Sequence, residues 1–210
     1  MKLKLKLKSN FMDFYDPFFD REGEIFERLS IDGLNRIDMF IFLKSLEFKT
    51  PNVGIVKNIT LNSNQDVVVY TNVNSHCGEG KEKLSYIEAI KKYPNYFCSE
   101  YIAPEEPNTS IRHLQIGNRS WLILYKSYGD WRSNVGDGEI KILHENKVGY
   151  HSQIKCPLYA IDFILSSKYD LYAIDFNIAP GIRGTGIEKI LRGSEVVSLI
   201  KNTYHREENL

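Results

Sequence analysis

The sequence predicts an α+β fold of two lobes, each an antiparallel sheet with helices against it. Three observations carry that prediction. Apolar runs of strand length recur from Val53 to Ile178, one pair of them reads as a tight hairpin, and only isolated stretches show helical spacing. Strands and hairpins broken by single helices, rather than a regular strand–helix alternation, point to the α+β class. The 210 residues contain no internal repeat or low-complexity linker, and that length suffices for one sizeable core or two small lobes sharing one.

Taken in order, the chain opens with MKLKLKLKSN, where Lys and Leu alternate at period two. A signal peptide would show a continuous apolar run, so this reads as a short amphipathic strand with a lysine-rich face. The aromatic stretch that follows, broken by Pro17 and Gly23, is expected to pack on the body or on a second copy, because exposed aromatics are costly. NRIDMFIFLKSLEF places Ile37, Phe40, Ile41 and Leu46 at helical spacing, and the helix stops before Thr50-Pro51. VGIVKNI and DVVVYT read as strands, the second followed by the polar loop NVNSHCGEGKEK. LSYIEAIKKY is a short helix with Ser85 as N-cap and Glu88 three residues on. NYFCSEYI is extended and runs into APEEPNTS. IRHLQIG and SWLILYKSY then form a hairpin about Asn118-Arg119. After the loop GDWRSNVGDGE come EIKIL, two further apolar runs, and a C-terminal helix from GSEVVSLI that fades into a charged tail. The expected organisation is an arm over 1–34, a smaller lobe over 35–103 and a larger lobe over 104–210.

Composition narrows the partners. The 27 basic and 27 acidic side chains balance, so net charge gives no reason to expect nucleic acid or an anionic membrane. No apolar run approaches the roughly 20 residues of a membrane-spanning helix. Cys77, Cys98 and Cys156 are few, odd in number and widely spaced, which fits free thiols in a reducing cytoplasm. The five histidines show no ligand pattern.

The chemistry concentrates between Pro157 and Glu188. Two apolar runs, Leu158 to Leu165 and Leu171 to Ile178, each carry one aspartate, Asp162 and Asp175, and Asn177 lies two residues beyond the second. Residues two apart on a strand share a face, so Asp175 and Asn177 project together and a neighbouring strand adds Asp162. Three convergent oxygen ligands suit a hard cation such as Mg²⁺, which commonly accompanies nucleotide phosphates. Pro180, Gly181 and a Gly-rich loop with Arg183 follow.

In this order the residues resemble the ATP-grasp ligases, most nearly their RimK-type, glutamate-adding branch. AIDF, a short turn, and LYAIDFNIAPGIRG resemble that family's metal-binding segment. IRHLQIG and DWRSN resemble its I-R-V-L-V-x-G and D-[FW]-R-S-N, and FCSEYI resembles its hinge strand. The resemblance spans roughly Asn35 to Lys201 and implies an ATP-grasp-like fold with the two sheets sandwiching a nucleotide. It implies ATP and Mg²⁺ as cofactors, with the metal on Asp162, Asp175 and Asn177. Arg112 and Arg132 would clamp transferring phosphate oxygens, Asn134 would orient them, and Arg183 would meet a substrate carboxylate. Arg36, Gly78, Gly80 and Lys81 would serve the nucleotide phosphates, and Glu100, Tyr101 and Ile102 would face the adenine. The chain departs from the family in four places. Tyr70 or Thr71 stands where a phosphate-binding strand lysine belongs, and Ser110 falls near the ribose-binding acid, for which Glu105 or Glu106 would substitute. Asp175 replaces a more usual glutamate, and the stretch before Arg36 is too short for the usual N-terminal α/β domain.

The expected function is therefore an ATP-dependent carboxylate–amine ligase. The substrate carboxylate takes the γ-phosphoryl group to give ADP and an acyl phosphate, and an amine displaces phosphate to form the amide. Its expected partners are ATP, a small-molecule or peptide carboxylate and amine, and a second copy of the chain bound through the N-terminal arm. The alternatives are a catalytically degenerate nucleotide-binding or scaffold protein, and a kinase-like phosphoryl transferase.

Overall fold

A computed structural model describes residues 34–74, 79–146, 154 and 156–208; the N-terminal arm and Gly78 lie outside the described residues. Helix α1 (Arg36–Ser45) is followed by β1 (Val53–Ile55), β2 (Asp66–Tyr70), β3 (Lys81–Ser85), α2 (Tyr86–Lys92) and β4 (Phe97–Glu100). The chain continues through β5 (Thr109–Ile116), β6 (Arg119–Ser127), β7 (Gly138–Asn146), β8 (Leu158–Leu165), β9 (Leu171–Ile178) and α3 (Gly193–Glu208). The first four strands form a sheet of order β1-β4-β2-β3 and the last five a sheet of order β7-β6-β5-β8-β9, every pairing antiparallel. The fold is α+β, as the patterning predicts.

Strand alternation explains how the smaller sheet serves two layers. Val67 and Val69 of β2 point to one face and join Val56, Tyr86, Ala89 and Cys98 in a cluster beneath α2. Val68 and Tyr70 point to the other and join a larger core shared with the five-stranded sheet, including Leu114, Ile116, Trp121, Ile123 and Leu158. Helix α2 begins where the sequence places it: the Ser85 hydroxyl accepts from Glu88 N–H, and Glu88 closes the box on Ser85 N–H.

Three local expectations are corrected. Helix α1 is apolar almost all round, so periodicity alone does not fix its buried face. It buries Met39, Phe40, Phe42 and Leu43 and leaves Ile37 and Ile41 39 % and 52 % exposed. The Phe42–Phe176 ring contact at 4.7 Å sets that rotation and docks α1 on β9 of the larger sheet. Second, the KEK segment read as loop is β3, paired with β2 from Asp66↔Ser85 to Tyr70↔Lys81. Its Lys-Glu-Lys start has no apolar face to betray a strand. Third, the hairpin turns at Gly117-Asn118, with Arg119 already in β6. Gly117 has φ +57°, and a Cβ there would lie 2.3 Å from the Leu199 carbonyl of α3, so both conformation and packing require glycine.

β8 and β9 form the hairpin that carries the two aspartates, and Asp162 and Asp175 are direct cross-strand partners. The register shifts just beyond them: Phe163 pairs with Ala173, which makes Ile174 an extra, bulged residue.

Candidate active site

Between the two sheets lies a cleft of ≈ 900 Å³ including its open mouth. β2 and β3 contribute Val68, Tyr70 and Lys81; the β4–β5 crossing contributes Glu100, Tyr101, Ile102 and Pro104. The larger sheet adds Ser110, Arg112, Tyr125, Asp162, Ile164, Ile174 and Asp175, and the β6–β7 loop adds Trp131, Arg132, Ser133 and Asn134. Its lining combines apolar and aromatic side chains with a cluster of charged ones.

The charged cluster is built by register. Arg112 on β5 pairs with Asp162 on β8, which pairs with Asp175 on β9, so one row of three side chains crosses three neighbouring strands. The Arg112 guanidinium grips Asp162 at both oxygens, Nε to Oδ1 at 2.7 Å and Nη2 to Oδ2 at 2.9 Å. Asp175 Oδ1 accepts from Arg36 Nη1 at 2.6 Å and from the Phe176 N–H at 3.0 Å. Burial opposes the charge on both arginines, but their carboxylate partners outweigh it and raise both pKa values. Burial likewise works against the Asp175 carboxylate, yet Arg36 and Lys81 hold it below the usual aspartate value. Lys81 is pushed down, first by burial and then by Arg36. Its ammonium lies 5.8 Å from the Tyr70 ring and makes no ion pair among the described residues, so it is a cation open to an incoming anion.

The remaining expected residues are distributed as follows. Arg132 and Asn134 line the cleft, and Arg132 is held by Asp130 (Nε–Oδ1 2.8 Å, Nη2–Oδ2 2.7 Å), whose carboxyl it lowers to about 2. Glu100, Tyr101 and Ile102 also line it, although the Glu100 carboxylate already accepts from Asn52 Nδ2 at 2.9 Å and Gln65 Nε2 at 2.5 Å. Arg36 is only 5 % exposed and stands behind Asp175, outside the cleft lining. Gly80, with φ +60°, hands the chain into Lys81, and neither it nor the exposed Arg183 is part of the cleft lining. Asn177 pairs opposite Ala160, on the face of Asp175, but also lies outside the lining. Glu105 and Glu106 are absent from the lining, and the Glu106 carboxylate is taken by Lys126.

Sequence reading missed Tyr125 and Trp131 as cleft residues. Tyr125 stacks under the Arg112 guanidinium at 5.1 Å and Trp131 meets Tyr101 edge-on at 6.0 Å. Trp131 sits inside the DWRSN motif and was visible there; nothing marks Tyr125 before the β5–β6 register is known.

Among the described residues no set of three or more His, Cys, Asp and Glu side chains converges to hold a metal. A cation in the cleft would rest on Asp162 and Asp175. Their donor chemistry fits Mg²⁺, since carboxylate oxygens are hard ligands.

No family model and no curated protein matches the sequence. Solved structures do match the fold. D-alanyl-alanine synthetase A from Vibrio cholerae aligns at TM-score 0.50 and 15 % identity, over 81 % of this chain and 65 % of that one. The D-alanine-D-alanine ligase from Coxiella burnetii aligns at 0.51 and 9 %, over 84 % and 58 %. The ATP-grasp ligase PsnB, complexed with a precursor variant, Mg and ADP, aligns at 0.52 and 10 %, over 90 % and 62 %. The chain thus spans less than two thirds of the length of each of these proteins. No helix among the described residues is long and apolar enough to cross a membrane. The two-sheet architecture around the cleft is the fold of these ligases, the ATP-grasp ligase PsnB among them.

Proposed function

We propose that the protein is an ATP-dependent carboxylate–amine ligase of the ATP-grasp kind, with the nucleotide in the cleft between the sheets. The supporting observation is the row Arg112–Asp162–Asp175, in a cleft whose lining also holds Lys81, Arg132 and several apolar side chains. The base would lie against the apolar lining of Val68, Ile102, Pro104, Ile164 and Ile174, and Lys81, Arg112 and Arg132 would meet the polyphosphate. Lys81 pairs directly with Tyr70 across β2 and β3, so the charge missing from the β2 position is restored from the neighbouring strand. The motif order of the larger sheet favours the RimK-type branch, with a small-molecule or peptide carboxylate as one substrate and an amine as the other.

Mg²⁺ held on Asp162 and Asp175 would supply positive charge to the β- and γ-phosphates. Arg112 and Arg132 stabilise negative charge on the transferring phosphoryl group, where a guanidinium fork matches its geometry. Tyr125, beneath Arg112, limits the directions in which that fork can turn. The buried Cys98 thiol suits a cytoplasmic setting. We place the division between lobes in the β4–β5 crossing, where the chain leaves one sheet for the other.

Isothermal titration with a non-hydrolysable ATP analogue, followed by screening of acids and amines for ADP release, tests the reading. Analogue binding that is lost in Asp175→Ala, with ADP released alongside an amide, is the expected result; no binding at saturating analogue overturns it. Tyr70 at the strand-lysine position favours a second reading, a nucleotide-binding protein without ligase chemistry. Binding without ADP release in every substrate mixture would select it, and a phosphorylated product would point to kinase-like transfer.

A further inference from the structure

Asp162 and Asp175, the carboxylates that would hold a divalent cation, are not equally open. Both oxygens of Asp162 accept from Arg112. Asp175 is held at Oδ1, by Arg36 and by the Phe176 N–H. Among the described residues both carboxylates of the row are thus engaged by a guanidinium. A hard dication takes six or more oxygens, and beside two carboxylates already matched by Arg36 and Arg112, with Lys81 adding a third cation, it gains little Coulomb attraction.

The two arginines differ in what can move them. Arg36 is buried behind Asp175, with its Nη1 3.6 Å from Met39 Sδ and its backbone N–H on the Val73 carbonyl. Arg112 lines the cleft, stacked on Tyr125, and an anion entering beside Lys81 meets its guanidinium directly. A guanidinium has five donors, and a polyphosphate carries more negative charge than a carboxylate, so the phosphate competes for the Arg112 fork and leaves Asp162 with free lone pairs.

We propose that Arg112 is a positioning residue that closes Asp162 to divalent cations in the free protein and releases it when a polyphosphate fills the cleft, so that cation binding is conditional on phosphate. The inference rests on the nucleotide reading above and adds to it an order of binding. Because coupling between two ligands is reciprocal, the cation tightens the polyphosphate by the factor by which the polyphosphate tightens the cation.

The test uses Mn²⁺ as a spin probe on the full chain with no phosphate present. The free Mn²⁺ resonance should persist with the wild-type protein. Arg112→Gln, which unlocks Asp162, should bind Mn²⁺ at least about tenfold more tightly, a factor within the usual range of coupling energies. Arg112→Gln combined with Asp162→Asn should lose the gain. A wild-type affinity equal to that of Arg112→Gln overturns the proposal. Should Arg112→Gln fail to fold, the ¹⁵N resonance of Arg112 Nε in the wild-type protein decides: it should shift when ATP is added in EDTA, and an unmoved resonance at saturating ATP overturns the proposal. Failure of the nucleotide reading shows separately, as no calorimetric binding of ATP with or without Mg²⁺, and it takes the phosphate-driven release with it. ATP binding with an unmoved Arg112 resonance and no Mn²⁺ gain in Arg112→Gln overturns the present inference alone.

Discussion

Three arginine–aspartate pairs surround the cleft, and they are chemically alike but differently placed. Arg36–Asp175 joins a helix to a sheet behind the cleft wall, Arg112–Asp162 forms part of the wall, and Arg132–Asp130 closes a loop at its rim. Burial falls in that order, from Arg36 with 6 % of its side chain exposed to Arg132 with 28 %. A buried pair holds elements together because either partner alone is an uncompensated charge. A pair at a ligand-facing wall can be exchanged for a ligand, and a half-exposed pair at the rim contributes little to stability.

Substitutions that remove one arginine at a time would break or sharpen this gradient. Arg36→Ala should have the largest effect on stability, about 3 kcal/mol or more as for other broken buried pairs, read as a lowered denaturation midpoint. A change equal to that of Arg132→Ala would abolish the distinction. Arg112→Ala should cost less stability, about 2 kcal/mol for charge-assisted hydrogen bonds lost, yet reduce affinity for a non-hydrolysable ATP analogue by about tenfold or more. Calorimetry and melting on the same variant separate the two contributions.

The Arg36 pair should also leave a signature in acid. The folded pKa of Asp175 lies below its unfolded value, so its contribution is present above the unfolded aspartate pKa of about 3.9 and is lost as pH falls through the lower folded value. The stability difference between wild type and Asp175→Asn should be constant near neutrality and shrink below about pH 4. A difference that grows on acidification would reverse the sign assigned here. Arg132→Ala should move the denaturation midpoint least, by about 0.5 kcal/mol, and should still weaken analogue binding measured by calorimetry.

Much of this arrangement is legible in the sequence, for definite reasons. β8 and β9 repeat Ala-Ile-Asp-Phe inside apolar runs, and strand periodicity alone brings their aspartates to one face. The hairpin of β5 and β6 announces itself by length and by a turn pair. The partners of Asp162 and Asp175 are not legible. Arg112 meets Asp162 because β5 pairs with β8 in one register, and Arg36 meets Asp175 because α1 docks on β9; both are facts of tertiary pairing. The arginines were therefore expected on phosphate and the aspartates on metal, whereas in the free structure they hold each other. β3 was hidden by its charged composition, and the rotation of α1 by its near-uniform hydrophobicity.

Ile174 sets how this hairpin tolerates insertions and deletions. Counting by twos back from Asp175 puts Ala173 on the aspartate face, yet Ala173 is fully buried opposite Phe163, on the other side of the sheet. The extra residue absorbs that change of phase. Removing Ile174 would leave Asp162↔Asp175 and Phe163↔Ala173 as consecutive rungs of a regular ladder. Removing or adding a residue between Asp175 and Ile178 would turn the strand's end over, because a slip of one flips every side chain beyond it. The hairpin can shorten by one residue at a single point without moving its aspartates, and that point is the bulge.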